Sequence, residues 1–156
     1  MPGVLADVPA VWVALALTST VLVGAAFQFP TAAPAPATAV ADTIDTVAAA
    51  PYDSTATHPI DATAVRIGPH RLAIRTAAGD THATLTYGPV TPVTRGSTLE
   101  AVLEGTPPQR LFRSPAAFRR AVATARDRTP TWRTDVEAVT VRHVTWEEVD
   151  VTLVTA

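Results

Sequence analysis

The chain has 156 residues, a net charge of −2 and no cysteine, and 47% of its residues are hydrophobic while 17% are charged. The missing cysteines exclude disulfides, thiolate chemistry, cysteine-ligated zinc and a lipoprotein-type lipid anchor. The near-balanced charge gives no electrostatic reason to expect a nucleic-acid partner, so we expect none.

A long uncharged segment near the N-terminus is apolar over residues 10–29, which read AVWVALALTSTVLVGAAFQF. These 20 residues, at about 1.5 Å per residue, span about 30 Å, the thickness of a bilayer's hydrocarbon core. We therefore predict one transmembrane helix over residues 10–29, preceded by a short tail, residues 1–9. No basic residue precedes Arg66, so the tail length alone indicates the orientation. We expect a single-pass protein of the cell membrane with an extracytoplasmic C-terminal domain.

Cleavage as a secretory signal peptide is the alternative for this segment. A small-residue cleavage motif does occur at Ala39-Val40-Ala41. The N-terminal tail, however, has no basic residue, and the apolar stretch is longer than the 7–15 residues of a typical signal-peptide core. A secreted protein released by cleavage therefore stays open as a second interpretation.

One face of the predicted transmembrane helix carries small or polar residues at four-residue spacing: Ala16, Thr20, Gly24 and Gln28. Small residues at this spacing allow close helix packing, and a glutamine can hydrogen-bond across the contact. The stripe predicts packing with another membrane protein or with a second copy. The alternative is a chance pattern in an alanine-rich helix.

Residues 30–61 are rich in proline and alanine, and they predict a stalk between the membrane and the domain. Pro30, Pro34 and Pro36 favour an extended spacer. An amphipathic helix is predicted over residues 39–50, because its apolar residues recur at helical spacing. Packing on the domain is the default for this helix, and contact with a partner is the alternative.

The first hairpin of the domain is predicted from two alternating stretches, residues 71–76 and 82–87, with a turn over AAGD between them. The pattern pairs Leu72 with Leu85 and puts Tyr87 on the buried face. A neighbouring strand is expected just before this hairpin.

Two helices are expected after the first hairpin. Ser97 and Glu100 form a capping-box pattern, and Gly105 is a typical C-terminal stop. Ser114 followed by proline predicts the start of a second helix over residues 115–127.

A second hairpin is predicted over residues 138–146 and 149–155, with the turn at the two glutamates between them. Val144 lies opposite Val151 in this register, and valines on both faces predict a strand pair that is buried on both sides or bulged. The predicted fold is a single N-terminal transmembrane helix plus a small α+β domain with an antiparallel sheet, residues 62–156.

Motifs for catalysis, metal binding or cofactor binding are missing from the sequence. The four histidines, which lack metal-ligand spacing, are His58, His70, His82 and His143. Glycines are scattered singly, no GxSxG motif occurs, and the adjacent carboxylates Glu147 and Glu148 fit a solvated turn better than an acid/base pair. We therefore expect no enzyme, no metal and no cofactor. A cluster of Asp150, His143 and a threonine or serine within hydrogen-bond reach would reopen the enzyme hypothesis.

One basic cluster is the remaining candidate site, formed by Arg113, Arg119, Arg120, Arg126 and Arg128. These side chains could contact anionic lipid head groups or an acidic partner. A solvated helix face is the alternative.

Five stretches carry a family resemblance: ADTIDTVAAAPY, GPHRLAIR, ATLTYGPVTPV, SPAAFRRAV and VRHVTWEEVDVTLV. In these stretches the chain resembles a family of small single-span membrane proteins of haloarchaea that accompany type IV pilus-like assembly systems. The resemblance implies anchoring and an accessory or pilin-like role, and it carries no functional residues over. The chain departs from pilins because it lacks a basic-glycine processing site before the apolar segment and a glutamate within it.

The leading hypothesis from sequence is a non-enzymatic, membrane-anchored surface protein that contributes its domain to an envelope assembly. An extracytoplasmic ligand-binding module is the alternative, and a concave pocket with convergent arginine and histidine side chains would favour it.

Overall fold

The structure, a computed structural model, describes residues 36–156. The predicted transmembrane helix over residues 10–29, its small-residue stripe and the tail before it lie outside the described residues. Across residues 36–156, every helix is too short or too polar to cross a bilayer.

The described part alternates between helices and strands in the order α1 Pro36–Ala48, β1 Ser54–Pro59, β2 Ala64–Ile67, β3 Arg71–Thr76, β4 Gly79–Thr84, β5 Thr91–Pro92, α2 Thr98–Leu103, α3 Pro108–Leu111, α4 Pro115–Arg126, β6 Arg133–Thr134, β7 Ala138–Trp146 and β8 Val149–Thr155. The prediction of a small α+β domain is confirmed.

The strands form two four-stranded sheets instead of the single sheet expected from sequence. The first has the order β1-β7-β8-β5 and the second the order β4-β3-β2-β6. Neighbouring strands are antiparallel except at β5, which pairs with β8 in parallel. Each sheet ends on one side in a two-residue strand, β5 in the first and β6 in the second. Residues of both short edge strands line the candidate site described below.

Helix α1 belongs to the main hydrophobic core, so the folded unit begins within the predicted stalk. Val40, Ile44 and Val47 lie on its buried face, and Ile44 is 0% exposed. They pack with residues from both sheets, including Ile74 and Val141. Pro36 is compatible with the first turn of this helix, because an N–H at that position would have no helical partner. The helix thus packs on its own domain, which was the default prediction.

Strand β1 also lies within the stretch assigned to the stalk. Residues 54–59 pair with β7 from Ser54 opposite His143 to Pro59 opposite Ala138. The alternation in STATHP is weak because most of its residues are small or polar. No strand was therefore predicted for this segment. Residues 36–61 are thus part of the folded unit, and the boundary near residue 62 is corrected accordingly.

The first sheet is covered on its other face by a second core. The ring of Phe118 on α4 is fully buried, with its centroid 5.3 Å from that of Phe112 and 6.2 Å from that of Trp146. Val144 and Val151 face this core, whereas Val141 and its partner Val154 face α1. The second hairpin is therefore buried on both sides, and its predicted register is confirmed without a bulge.

The first hairpin forms, but its predicted register is wrong by two residues. Leu72 pairs with Ala83 instead of Leu85, because the chain turns over Ala77–Ala78 and Gly79 adopts a φ of 127°. A shift of two residues keeps each side chain on its face, so Leu85 is still buried. Tyr87, which lies beyond the end of the strand, is 57% exposed and was wrongly placed in the core.

The predicted start of α4 and the predicted stop of α2 at Gly105, which has a φ of 120°, are confirmed, whereas the predicted N-terminal cap of α2 is corrected. The Ser114 hydroxyl accepts a hydrogen bond from the Ala117 N–H, as an N-cap does. Ser97 makes no side-chain cap, and the Glu100 carboxylate accepts from the Gly96 N–H instead, so the capping box does not form as predicted.

Candidate functional site

A cleft of about 530 Å³ lies between the edges of the two sheets. Val65 and Ile67 of β2 and Val154 of β8 form its apolar lining. Arg95, Arg128 and Arg133 provide its cationic lining, and we call this feature the arginine cleft. Its volume lies in the range of small-ligand sites, roughly 300–1,000 Å³.

Arg133 is the half-buried cation of the arginine cleft. Its guanidinium donates to the carbonyl oxygens of Val93 at 2.8 Å and Ala156 at 3.3 Å, and to the Thr155 hydroxyl at 3.4 Å. Burial lowers the pKa of Arg133, the positive charge of Arg95 lowers it further, and Glu100 partly opposes this. The Val93 carbonyl and the Thr155 hydroxyl are neutral acceptors that orient the guanidinium.

The other two arginines of the cleft are more exposed. Arg128 donates to the Thr94 hydroxyl at 3.0 Å, and Arg95 follows Thr94 in the chain. The residues that line the cleft include no aspartate or glutamate, and the two ion pairs of the described part, Arg75–Asp80 and His143–Asp150, lie elsewhere. The charged side chains that line the cleft are therefore all arginines, a side chain that pairs well with carboxylate or phosphate groups.

Trp132 forms part of the cleft wall and is held by two cations. The guanidinium carbons of Arg66 and Arg75 lie 4.8 and 4.2 Å from its ring centroid. Asp80 accepts two hydrogen bonds from Arg75, at 2.7 and 2.8 Å, and this bonding lowers the pKa of Asp80. The stacked arginines fix the indole, so the wall is defined before any ligand binds.

A second, open basin of about 940 Å³ lies on the outer face of the second sheet, and it shares Thr129 and Pro130 with the arginine cleft. Its polar lining consists of Arg66, His70, Arg71 and His82. The segment 129–130 therefore divides two basic depressions on one side of the domain.

The turn between β7 and β8 carries the main acidic feature, which we call the acidic tip: Glu147, Glu148 and Asp150. All three are exposed, and neither glutamate is paired with a basic group of residues 36–156. Glu147 has a φ of 55°, a left-handed conformation that costs a non-glycine residue roughly 1–3 kcal/mol. Glu148 and Asp150 border a shallow depression of about 370 Å³ together with Arg119 and Arg126.

A buried polar cluster lies at the base of the acidic tip. The His143 ring is 3.0 Å from the Asp150 carboxylate through Nε2 and 3.3 Å from the Thr152 hydroxyl through Nδ1. This arrangement meets the proximity condition for reopening the enzyme hypothesis. Thr152, however, is only 6% exposed and His143 only 4%, and neither borders any of the three depressions described above. A nucleophile needs space beside it for a substrate, so the cluster fits a satisfied buried imidazole.

The basic cluster predicted from sequence is dispersed by the fold. Arg113, Arg119 and Arg120 are exposed around α4, while Arg126 is half-buried and donates to the Thr91 hydroxyl at 2.9 Å. Burial lowers the pKa of Arg126. Arg128 alone of this set lines the arginine cleft.

Two residues of the cleft, Arg95 and Arg133, were missed by the sequence interpretation. They lie 38 positions apart (133 − 95) and meet only because the two sheet edges approach each other. The weak signal available was the Trp132-Arg133 pair, an aromatic next to a cation in a stretch without hydrophobic periodicity.

The remaining histidines do not assemble into a metal site. No group of three metal-ligating side chains lies together within residues 36–156. His58 instead contacts the Thr43 hydroxyl of α1 at 2.9 Å through Nδ1, and His70 is exposed.

Comparison with known proteins places the chain in a family of unknown function, DUF7283, whose match covers residues 3–144. The chain belongs to this family. No curated protein and no solved structure matches it.

Proposed function

We propose that this member of the DUF7283 family is a single-pass membrane protein of the cell envelope, whose α+β domain serves as a non-enzymatic, accessory or pilin-like subunit of a larger assembly. The observation that carries the proposal is that one family match, residues 3–144, includes both the apolar segment 10–29 and most of the α+β domain. That segment has the length and apolar character of a bilayer-spanning helix.

The early start of the fold supports a membrane-proximal role. The sequence has six residues, 30–35, between the apolar segment and α1. Six residues extend over about 20 Å at most. A short connection of this kind suits a subunit that works close to the membrane surface, whereas a free-ranging binding module is usually carried on a longer linker.

The place of α1 in the core also favours an uncleaved anchor over a secreted product. The candidate cleavage motif Ala39-Val40-Ala41 lies inside α1. Cleavage after Ala41 would remove Ala37, Val40 and Ala41, which are at most 3% exposed. The released protein would therefore lack half of a core helix.

A small-anion-binding module is the second candidate function, and the arginine cleft favours it. The cleft combines an apolar lining with Arg95, Arg128 and Arg133, the arrangement expected for an amphipathic carboxylate or phosphate.

Membrane fractionation of the full-length chain tests the anchor. We expect the wild type to stay in the membrane fraction after alkaline carbonate extraction, because a spanning helix resists that treatment. Leu17→Arg together with Leu22→Arg should release it, since each arginine near a helix centre costs roughly 2.5–3.5 kcal/mol on the insertion scale. The control is Leu17→Ala with Leu22→Ala, which should stay in the membrane. A wild type extracted by carbonate would refute the anchor.

Cysteine labelling tests the orientation, because the natural chain has no cysteine. Ala78 is exposed in the turn between β3 and β4 and is a suitable single site. In intact cells the Ala78→Cys variant should react with a membrane-impermeant maleimide. Labelling that requires cell lysis would place the domain in the cytoplasm and refute this part of the proposal.

A further inference from the structure

We propose, on the basis of the envelope-assembly role above, that the arginine cleft binds the acidic tip of a second copy of this chain, so that copies associate head to tail. The arginine cleft is the lining of Arg95, Arg128 and Arg133, and the acidic tip consists of Glu147, Glu148 and Asp150.

Charge complementarity is the first argument. The cleft presents three guanidinium groups and no aspartate or glutamate side chain among its lining residues. The tip presents three carboxylates, and the two glutamates are exposed without a basic partner in the described part of the chain. Guanidinium and carboxylate groups pair through two parallel hydrogen bonds, and partly buried pairs are screened less by salt than exposed ones.

The length of β8 shows that the contact must join different copies. The acidic tip lies at the start of β8, on either side of its first residue Val149, whereas the cleft includes Thr155, the last residue of β8. A strand of seven residues covers about 20 Å at roughly 3.3 Å per residue. The tip therefore cannot enter the cleft of its own domain.

The shapes of the two features agree. The acidic tip contains a two-residue turn, Glu147-Glu148, at the end of a regular hairpin in which Trp146 pairs with Val149. A narrow turn of this kind can enter a cavity of about 530 Å³. Because the contact uses two different patches at opposite ends of β8, it can repeat from copy to copy.

Disulfide cross-linking tests the contact on the full-length protein in membranes. Thr129 lines the cleft without being one of its arginines, and replacing Glu147 leaves two carboxylates on the tip. A mixture of Glu147→Cys and Thr129→Cys chains should form a disulfide-linked dimer on mild oxidation. The matched control replaces Glu147→Cys with Ala78→Cys, which lies at the turn of the other hairpin and should give at most background. A tip–cleft yield equal to this control would overturn the proposal.

Charge reversal provides a second, independent measurement. Glu147→Arg with Glu148→Arg, and Arg95→Glu with Arg128→Glu, should each abolish association of the otherwise wild-type chain. Mixing the two variants should restore it, because each then offers the charge that the other lacks. All the substituted side chains are exposed, and circular dichroism checks that the variants fold. A mixture that stays monomeric would overturn the proposal.

The two experiments separate this contact from the anchored role. A wild type that stays in the membrane but shows no tip–cleft cross-link refutes the contact and leaves the anchor intact. A cross-linked wild type that carbonate extracts refutes the anchor alone. Citrate binding at the cleft, measured by calorimetry on chains that do not cross-link, would assign the cleft to a small anion instead.

Discussion

The carboxylate of Asp45 accepts a hydrogen bond from the backbone N–H of Thr86 at 2.9 Å, across 41 positions of sequence. The same carboxylate accepts from the next N–H, that of Tyr87, at 3.0 Å. This contact fixes the loop after β4 to α1, a helix that composition alone assigns to a stalk. The Asp45 side chain therefore connects two distant parts of the fold.

Asp45→Ala should destabilise the domain by about 1–2 kcal/mol, because two backbone N–H groups lose a charged acceptor. Urea denaturation of residues 36–156 measures this loss. The control is Asp42→Ala on the exposed face of the same helix, where alanine raises helix propensity and should stabilise by up to about 0.5 kcal/mol. Equal effects for the two variants would contradict the capping role of Asp45.

Ile44→Ala tests whether α1 belongs to the core. Ile44 is fully buried and packs in the cluster that includes residues of both sheets. Truncation of such a side chain costs roughly 2–5 kcal/mol in lost burial and cavity formation. A loss below about 0.5 kcal/mol, the effect of an ordinary surface substitution, would instead favour a detached stalk helix.

Local sequence signals were sufficient where side-chain periodicity and burial agree. The hairpin of β7 and β8 was predicted in its correct register, because valines and leucines on both faces leave one pairing that buries them all. Ser114 followed by proline likewise marked the start of α4 correctly. In these segments the same residues determine both the local structure and its packing.

Non-local contacts account for what the sequence did not reveal. The strand β1 has little apolar alternation and is stabilised by its pairing with β7, which lies 79 to 89 residues away in the chain (138 − 59 to 143 − 54). The two-residue strands β5 and β6 are too short for any period to be detected. The arginine cleft lies between these two edges, so its residues could not be grouped before the fold was known.

Thr152→Val tests the buried imidazole of His143. The substitution keeps the side-chain shape but removes the hydroxyl 3.3 Å from Nδ1, which leaves a buried polar group without that partner. We expect a loss of about 1–2 kcal/mol in unfolding free energy. The control is Thr57→Val in β1, where the Thr57 side chain is exposed, and it should change stability by less than about 0.5 kcal/mol.

Chemical modification tests the accessibility of the same cluster. Diethyl pyrocarbonate should modify the exposed His70 and His82 much faster than His143, which is 4% exposed. Peptide mass spectrometry resolves the sites. A His143 that reacts as fast as His70 would show an open imidazole, and it would support the enzyme hypothesis against the structural role described above.

The Arg75–Asp80 pair predicts a pH dependence of stability. Its hydrogen bonds with Arg75 lower the pKa of Asp80 in the folded state, so the unfolded chain takes up a proton at higher pH than the folded one. The pair therefore stabilises the fold above the unfolded pKa, about 3.9, and this contribution is lost as pH falls through the folded value. Asp80→Asn should be slightly less stable than the wild type at neutral pH. The difference should disappear in acid; a difference that grows in acid would contradict this assignment.

The strained turn at the acidic tip should trade stability against association. Glu147 has a positive φ, which glycine adopts without strain, so Glu147→Gly should stabilise the domain by about 0.5–1 kcal/mol after the entropic cost of glycine. Glu148 is not among the residues with positive φ, and Glu148→Gly should therefore destabilise by a similar amount. Both variants lose one carboxylate of the tip, so both should associate less than the wild type. Urea denaturation should therefore show higher stability for Glu147→Gly and lower stability for Glu148→Gly, whereas association should decrease in both variants. A Glu147→Gly chain that gains stability and still associates as the wild type does would show that this carboxylate plays no part in the contact.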